Sequence, residues 1–106
     1  PISQWTLHFY QYVGYNEYKS LALSKSEHQE QVCKDLGERT VLMMKHHGAI
    51  IAGKSIQAAL FYSYHLEKAC QTQCLADLSR TPLIRPEIAS RSPWCWLRAS
   101  RQSASR

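Results

Sequence analysis

Thr40-Val41-Leu42-Met43-Met44-Lys45-His46-His47-Gly48-Ala49-Ile50-Ile51-Ala52-Gly53 consists of two compact apolar runs separated by Lys-His-His-Gly. Both runs are short and built from residues that suit a pleated, buried surface, so each reads as a strand. The His-His-Gly between them predicts a hairpin or a bent strand, with Gly48 supplying backbone geometry that a side chain would forbid. On a strand, adjacent residues point to opposite faces, so His46 and His47 cannot share one metal ion without a distorted turn. A single histidine at a strand end is well placed as a metal ligand, because the strand fixes the ring. A hydrogen-bonded structural histidine is the plainer alternative.

Upstream of the first run, Ser24 or Ser26 caps a short amphipathic helix with apolar positions Val32, Cys33 and Leu36. Glu27 and Glu30 favour its first turn, and Gly37 stands just past its end. Residues 1–23 are rich in aromatics and read as a short helical or turn-like segment followed by extended chain. Downstream of the second run, Ser55 caps the longest helix, roughly residues 56–78. Its stripe is Ile56, Ala59, Ser63, Leu66 and Cys70, widened by Leu60, Tyr62 and Ala69, and it is expected to pack on the sheet. The class is α/β.

Gly48 to Ser55 also spells the GxxxxGK[ST] pattern of a phosphate-binding loop. Ala-Ile-Ile-Ala is the wrong filling for a loop that wraps phosphate with free amides, and the strand reading stands. No GxSxG, GxGxxG or HExxH occurs. The four cysteines, Cys33, Cys70, Cys74 and Cys95, include no CxxC pair and read as reduced thiols. Cys70 and Cys74 lie one helical turn apart with His65 further back, but a structural zinc site takes four ligands and no further pair completes one. Packing of small sulfur side chains in the core is the reading preferred.

Of the 106 residues, 44% are hydrophobic and 20% charged, which excludes collagen, low-complexity disorder and a disulfide-dense miniprotein. The net charge of +5 is unevenly spread. Through residue 79 bases and acids balance; residues 80–106 hold six arginines, Glu87 as their one acid and no lysine. Pro82, Pro86 and Pro93 interrupt any helix there, so 80–106 is expected to be a disordered basic tail. Trp94 and Trp96 within it suggest base stacking on nucleic acid, against which the irregular spacing favours a solvated tail. No run is long and apolar enough to span a membrane, and no signal-peptide pattern opens the chain, which points to a cytoplasmic protein. Pro1 in the first position points to a processed chain or a piece of a longer one.

Four blocks together carry a resemblance: Tyr15-Asn16-Glu17-Tyr18-Lys19-Ser20, Asp35-Leu36-Gly37, Val41 to Gly48, and Ala58 to Gln73. In order and spacing they resemble the class II aldolase/adducin family over roughly residues 1–79, and more faintly over Leu83 to Ser92. The resemblance implies a share of a three-layer α/β/α sandwich with a central, mostly antiparallel sheet and one long C-terminal helix, often assembled as a homo-oligomer. It also implies zinc, with His47 of the His-Gly pair as a ligand, sugar-phosphate substrates, and Tyr15 as a loose candidate for proton transfer. The family's other zinc ligands form an upstream His-x-His pair, and its catalytic glutamate and phosphate loop also lie upstream. No His-x-His occurs in these 106 residues. The expectation is therefore an inactive, truncated relative of zinc-dependent aldolases and epimerases. The alternative is an adducin-like interaction module without the metal.

Overall fold

A computed structural model describes residues 1–17, 24–77 and 79–91. The elements in chain order are α1 (Gln4–Leu7), β1 (Val13–Asn16), α2 (Lys25–Leu36), β2 (Val41–Met44), β3 (Gly48–Ile51), α3 (Ile56–Leu75) and α4 (Pro86–Ser90). They form two compact units. One is Gln11–Ala59; the other joins Pro1–Tyr10 to the chain from Leu60 onward.

The first unit is a three-stranded sheet in the order β1-β2-β3 with α2 packed on β1 and β2. β1 and β2 run parallel, Val13 beside Val41 and Asn16 beside Met44. A parallel pair needs a crossover, and α2 provides it. β2 and β3 are antiparallel, Val41 opposite Ile51 and Met44 opposite Gly48, so the hairpin expected around His-His-Gly is present. The sheet described thus has one parallel and one antiparallel pairing, where a mostly antiparallel sheet was expected. Val41 and Leu42 are both fully buried, although neighbouring strand residues face opposite ways. That is the signature of a central strand covered on both faces.

Local chemistry sets the bounds of α2. The Ser24 hydroxyl donates to Glu27 Oε2 at 2.6 Å, and the Ser24 N–H donates to the same oxygen at 2.9 Å. The Glu27 N–H returns to Ser24 Oγ at 3.4 Å, completing a capping box. These bonds hold the Glu27 carboxyl below its ordinary range, the Ser24 side chain contributing most. Gly37 ends the helix at a φ of 50°, which a glycine tolerates and a β-carbon resists. Gly14 is required for another reason: a β-carbon there would stand 2.6 Å from the Asp35 carbonyl oxygen, so close is the approach of α2 to β1.

The second unit is organised by rings. His8 and Phe9, both buried, follow α1. Their partners lie on α3, with His8 edge-on to Phe61 and Phe9 edge-on to Tyr62. The covered side of α3 runs through Tyr62, His65, Leu66 and Ala69, while Leu60, Tyr64 and Leu75 are exposed. This departs from the expected stripe, since Ile56 is 85% exposed and Ser63 is exposed as well. The first eleven residues of α3 carry no charge, so the polar face that would have fixed the phase is missing. Ser55 caps the helix as expected, its hydroxyl accepting from the Ala58 N–H at 3.1 Å.

Part of the expected disordered tail is structured. Pro86 begins α4 rather than interrupting a helix, because proline lacks only an N–H that the first turn leaves unused. Ala89 of that helix is fully buried, and the Ile84 N–H donates to the Pro1 carbonyl at 2.7 Å. The tail's Trp94, Cys95 and Trp96 lie outside the described residues.

Candidate functional site

The turn between β2 and β3 carries Lys45, His46 and His47. The His47 N–H donates to the Met44 carbonyl at 3.1 Å and closes the turn; the Lys45 N–H reaches the Asn16 carbonyl of β1 at 2.9 Å. His46, third of the four turn residues, takes a φ of 58°, while Gly48 takes no positive φ. The expectation for Gly48 is thus corrected. The chain reverses within Met44–His47, and the left-handed residue such a turn needs falls on His46. By Gly48 the chain is already paired with β2 as a strand, which is also why the GxxxxGK[ST] pattern makes no phosphate loop.

The Lys45 ammonium pairs with Glu17 Oε2 at 3.0 Å, both side chains largely exposed. Beneath that pair runs a second tie. Buried Asn16 donates through Nδ2 to Asp35 Oδ2 at 2.6 Å, and Gln31 Nε2 donates to Asp35 Oδ1 at 2.7 Å. These two bonds, Gln31's first, hold the Asp35 carboxyl below its ordinary range. A continuous hydrogen-bonded path therefore leads from α2 through the end of β1 to Lys45 of the turn.

Beside the turn is a cavity of about 410 Å³. Tyr15, Asn16 and Glu17 line it from β1 and the residue after, Met43 and Met44 from β2, and Lys45 and His46 from the turn. Tyr15, 78% exposed, is brought next to Met43 by the parallel register. The sequence pointed to Tyr15 and His47; the structure sets Tyr15 in the cavity wall and His47 at the end of the turn, with His46 the histidine that lines the cavity. Sequence reasoning missed Asn16, Glu17, Met43, Met44 and Lys45 as wall residues. The one available signal was the Glu17 and Lys45 pair of opposite charges, each at the edge of a block already singled out.

An enzymatic zinc centre takes three protein ligands and an open position. Among the described residues no group of three His, Cys, Asp or Glu side chains could hold a metal ion. The residues present therefore do not fit a complete zinc centre. His65 is committed elsewhere: its Nδ1–H donates to the Phe61 carbonyl at 2.8 Å, and its ring packs 4.0 Å from Phe61, 4.5 Å from His8 and 5.4 Å from Trp5. Cys70 is half-buried, and that burial, ahead of the Glu67 charge and Cys74, pushes its thiol up. Cys74 is exposed, so packing in the core accounts for Cys70 only.

Residues 1–74 match the family described as Class II Aldolase and Adducin N-terminal domain. The chain belongs to the class II aldolase and adducin family. A Caulobacter vibrioides protein classed by name with the class 2 aldolases is 31% identical over 91 residues, which is 84% of this chain and 35% of the relative. Rat alpha-adducin is 31% identical over 62 residues, 58% of this chain and 8% of the relative. Among solved structures, an aldolase II superfamily protein from Pseudomonas syringae superposes with a TM-score of 0.77 at 28% identity, over 98% of this chain and 44% of that one. L-fuculose 1-phosphate aldolase from Glaciozyma antarctica gives 0.69 at 22% identity, over 98% of this chain and 46% of that one, a likeness of fold. The chain thus spans about a third of the Caulobacter relative. No helix among the described residues is long and apolar enough to cross a membrane.

Proposed function

We propose that this chain is one part of a class II aldolase-type domain, in which the turn between β2 and β3 supplies His47 as a single zinc ligand. The remaining ligands and the catalytic carboxylate come from outside this sequence. The observation that carries this reading is a family match that includes the His-His-Gly turn, in a structure whose described residues lack any three-donor group. The complete domain is the three-layer sandwich with the mostly antiparallel sheet, and residues 80–106 are its basic appendage. Taken alone, the 106 residues are inactive. Sugar phosphates, the class to which the name of the Glaciozyma antarctica protein points, are the family's implied substrates. In the complete domain His47 would be one of the residues holding zinc, which would supply polarisation of a carbonyl oxygen and stabilisation of developing negative charge. Tyr15 is the proton-transfer candidate, since it stands in the cavity wall beside the turn.

Metal analysis of the purified chain at micromolar zinc, with and without His47→Ala, tests this. Well under one zinc per chain is expected in both forms. A full equivalent lost on substitution would overturn the single-ligand reading, because the chain would then close the centre itself or across a contact between copies.

One observation favours a second reading. Leu60, Tyr64 and Leu75 leave apolar surface open on α3, at 69%, 56% and 88% exposure. Such surface suits an adducin-like module whose business is assembly, with a second copy of the chain as the simplest partner. This reading differs in predicting that zinc leaves the His47 ring undisturbed at any concentration.

A further inference from the structure

Cys74 is the thiol of α3 that packing leaves unexplained. It stands exposed in the last turn of the helix, four residues after half-buried Cys70. Helical bonding continues past it, since the Ala76 N–H donates to the Thr72 carbonyl at 3.1 Å. Residues at this spacing share one face, their β-carbons about 5–6 Å apart, and helical side chains lean toward the N-terminus. The Cys74 thiol therefore leans toward Cys70. Burial first, then Glu67, then Cys74 push the Cys70 thiol up, so the two sulfurs are within electrostatic reach.

A facing pair of thiols has three ordinary uses, and two of them fail here. A disulfide requires β-carbons about 3.5–4.5 Å apart, closer than the helical spacing sets them. Redox-active thiols also sit where their pKa is lowered, and Cys70 is shifted the other way. Zinc takes at least three protein donors, and among the described residues no group of three His, Cys, Asp or Glu forms. A soft monovalent ion has other needs. Copper(I) favours thiolate sulfur and is satisfied by two of them, one on each side. Two metal–sulfur bonds in line, at about the 2.3 Å of zinc–thiolate bonds, span about 4.6 Å, a gap matched to β-carbons about 5–6 Å apart. The surroundings favour a cation as well. Glu67 lies three residues before Cys70, and the last turn of α3 has no basic residue to offset the negative end of the helix dipole.

We propose that Cys70 and Cys74 form a two-coordinate copper(I) site on α3. Binding makes two Cu–S bonds and releases one proton from each thiol, with no change in oxidation state. The test supplies copper already as Cu(I), under nitrogen, to the reduced full 106-residue chain in competition with the chromophoric chelator bicinchoninate. One copper per chain is expected. Cys70→Ser and Cys74→Ser should each weaken binding at least about a hundredfold, the upper end of what losing a residue that only hydrogen-bonds a metal ligand costs. Cys33→Ser and Cys95→Ser, at the other two cysteines, should change nothing. Spacing is tested separately. Added to Cys74→Ser, Gln73→Cys restores a facing pair and should recover the site, whereas Thr72→Cys, two residues from Cys70, should not. Copper retained in Cys74→Ser, as a site on Met43 and Met44 would give, would overturn the proposal. So would one copper shared between two chains, loss of binding in Cys33→Ser or Cys95→Ser, no recovery with Gln73→Cys, or equal recovery with Thr72→Cys.

Discussion

Asp35 accepts from Gln31 on its own helix and from Asn16 at the end of β1, and so joins α2 to the strand that holds the turn. Both bonds favour the ionised carboxylate and lower its pKa. The sign of the consequence follows. A carboxyl whose pKa is lower folded than unfolded stabilises the fold above the ordinary carboxylate range, and that contribution is lost as pH falls through the folded value. Asp35→Asn should therefore lower the urea midpoint at pH 7 by an amount worth less than about 1 kcal/mol, since the group is solvent-screened. Near pH 2 the difference should vanish. A gap of the same size at both pH values would show that the charge is irrelevant. At this scale much was legible. Ser24, Glu27, Gly37 and Ser55 act in the structure as caps, because caps depend on neighbours within four residues. Asn16 was not legible as a buried anchor, because its partner lies nineteen residues away.

Among the elements, α2 comes close to β1 at Gly14. A β-carbon there would meet the Asp35 carbonyl at 2.6 Å and Leu42 Cδ1 at 3.1 Å. Gly14→Ala is expected to destabilise the sheet unit by about 1–3 kcal/mol, as overpacking does, and to lower the thermal midpoint. An unchanged midpoint would mean that strand and helix are free to part. The strands and the α2 helix were readable from local pattern. The parallel pairing of β1 with β2 was not, since register across a helical crossover leaves no trace in either strand. The covered side of α3 was missed for a different reason: Ile56 to Leu66 is apolar or neutral all round, so periodicity could not choose a face. The cavity belongs to the same class of features, because Tyr15 meets Met43 only through that parallel register.

For the whole molecule, family membership rests on blocks that the sequence displayed in order, and the match over residues 1–74 covers the turn with both histidines. The proposed role of His47 rests on how that turn is built. Met44–His47 reverses with the left-handed residue at His46, its second residue, Lys45, is tied to the end of β1 by a main-chain bond to Asn16 and by its ion pair with Glu17, and His47 stands at its end. One imidazole is a weak site alone and a ligand when others are brought to it. The most direct test is a zinc titration of the full chain that follows the ring resonances of its five histidines. The His47 signal is predicted to move first, with half-saturation of roughly 1 mM, equivalent to about 4 kcal/mol, and the response should vanish in His47→Ala and survive in His46→Ala. A His47 ring indifferent to zinc, or a response abolished by His46→Ala, would contradict the assignment of His47 as the family's metal ligand in this chain.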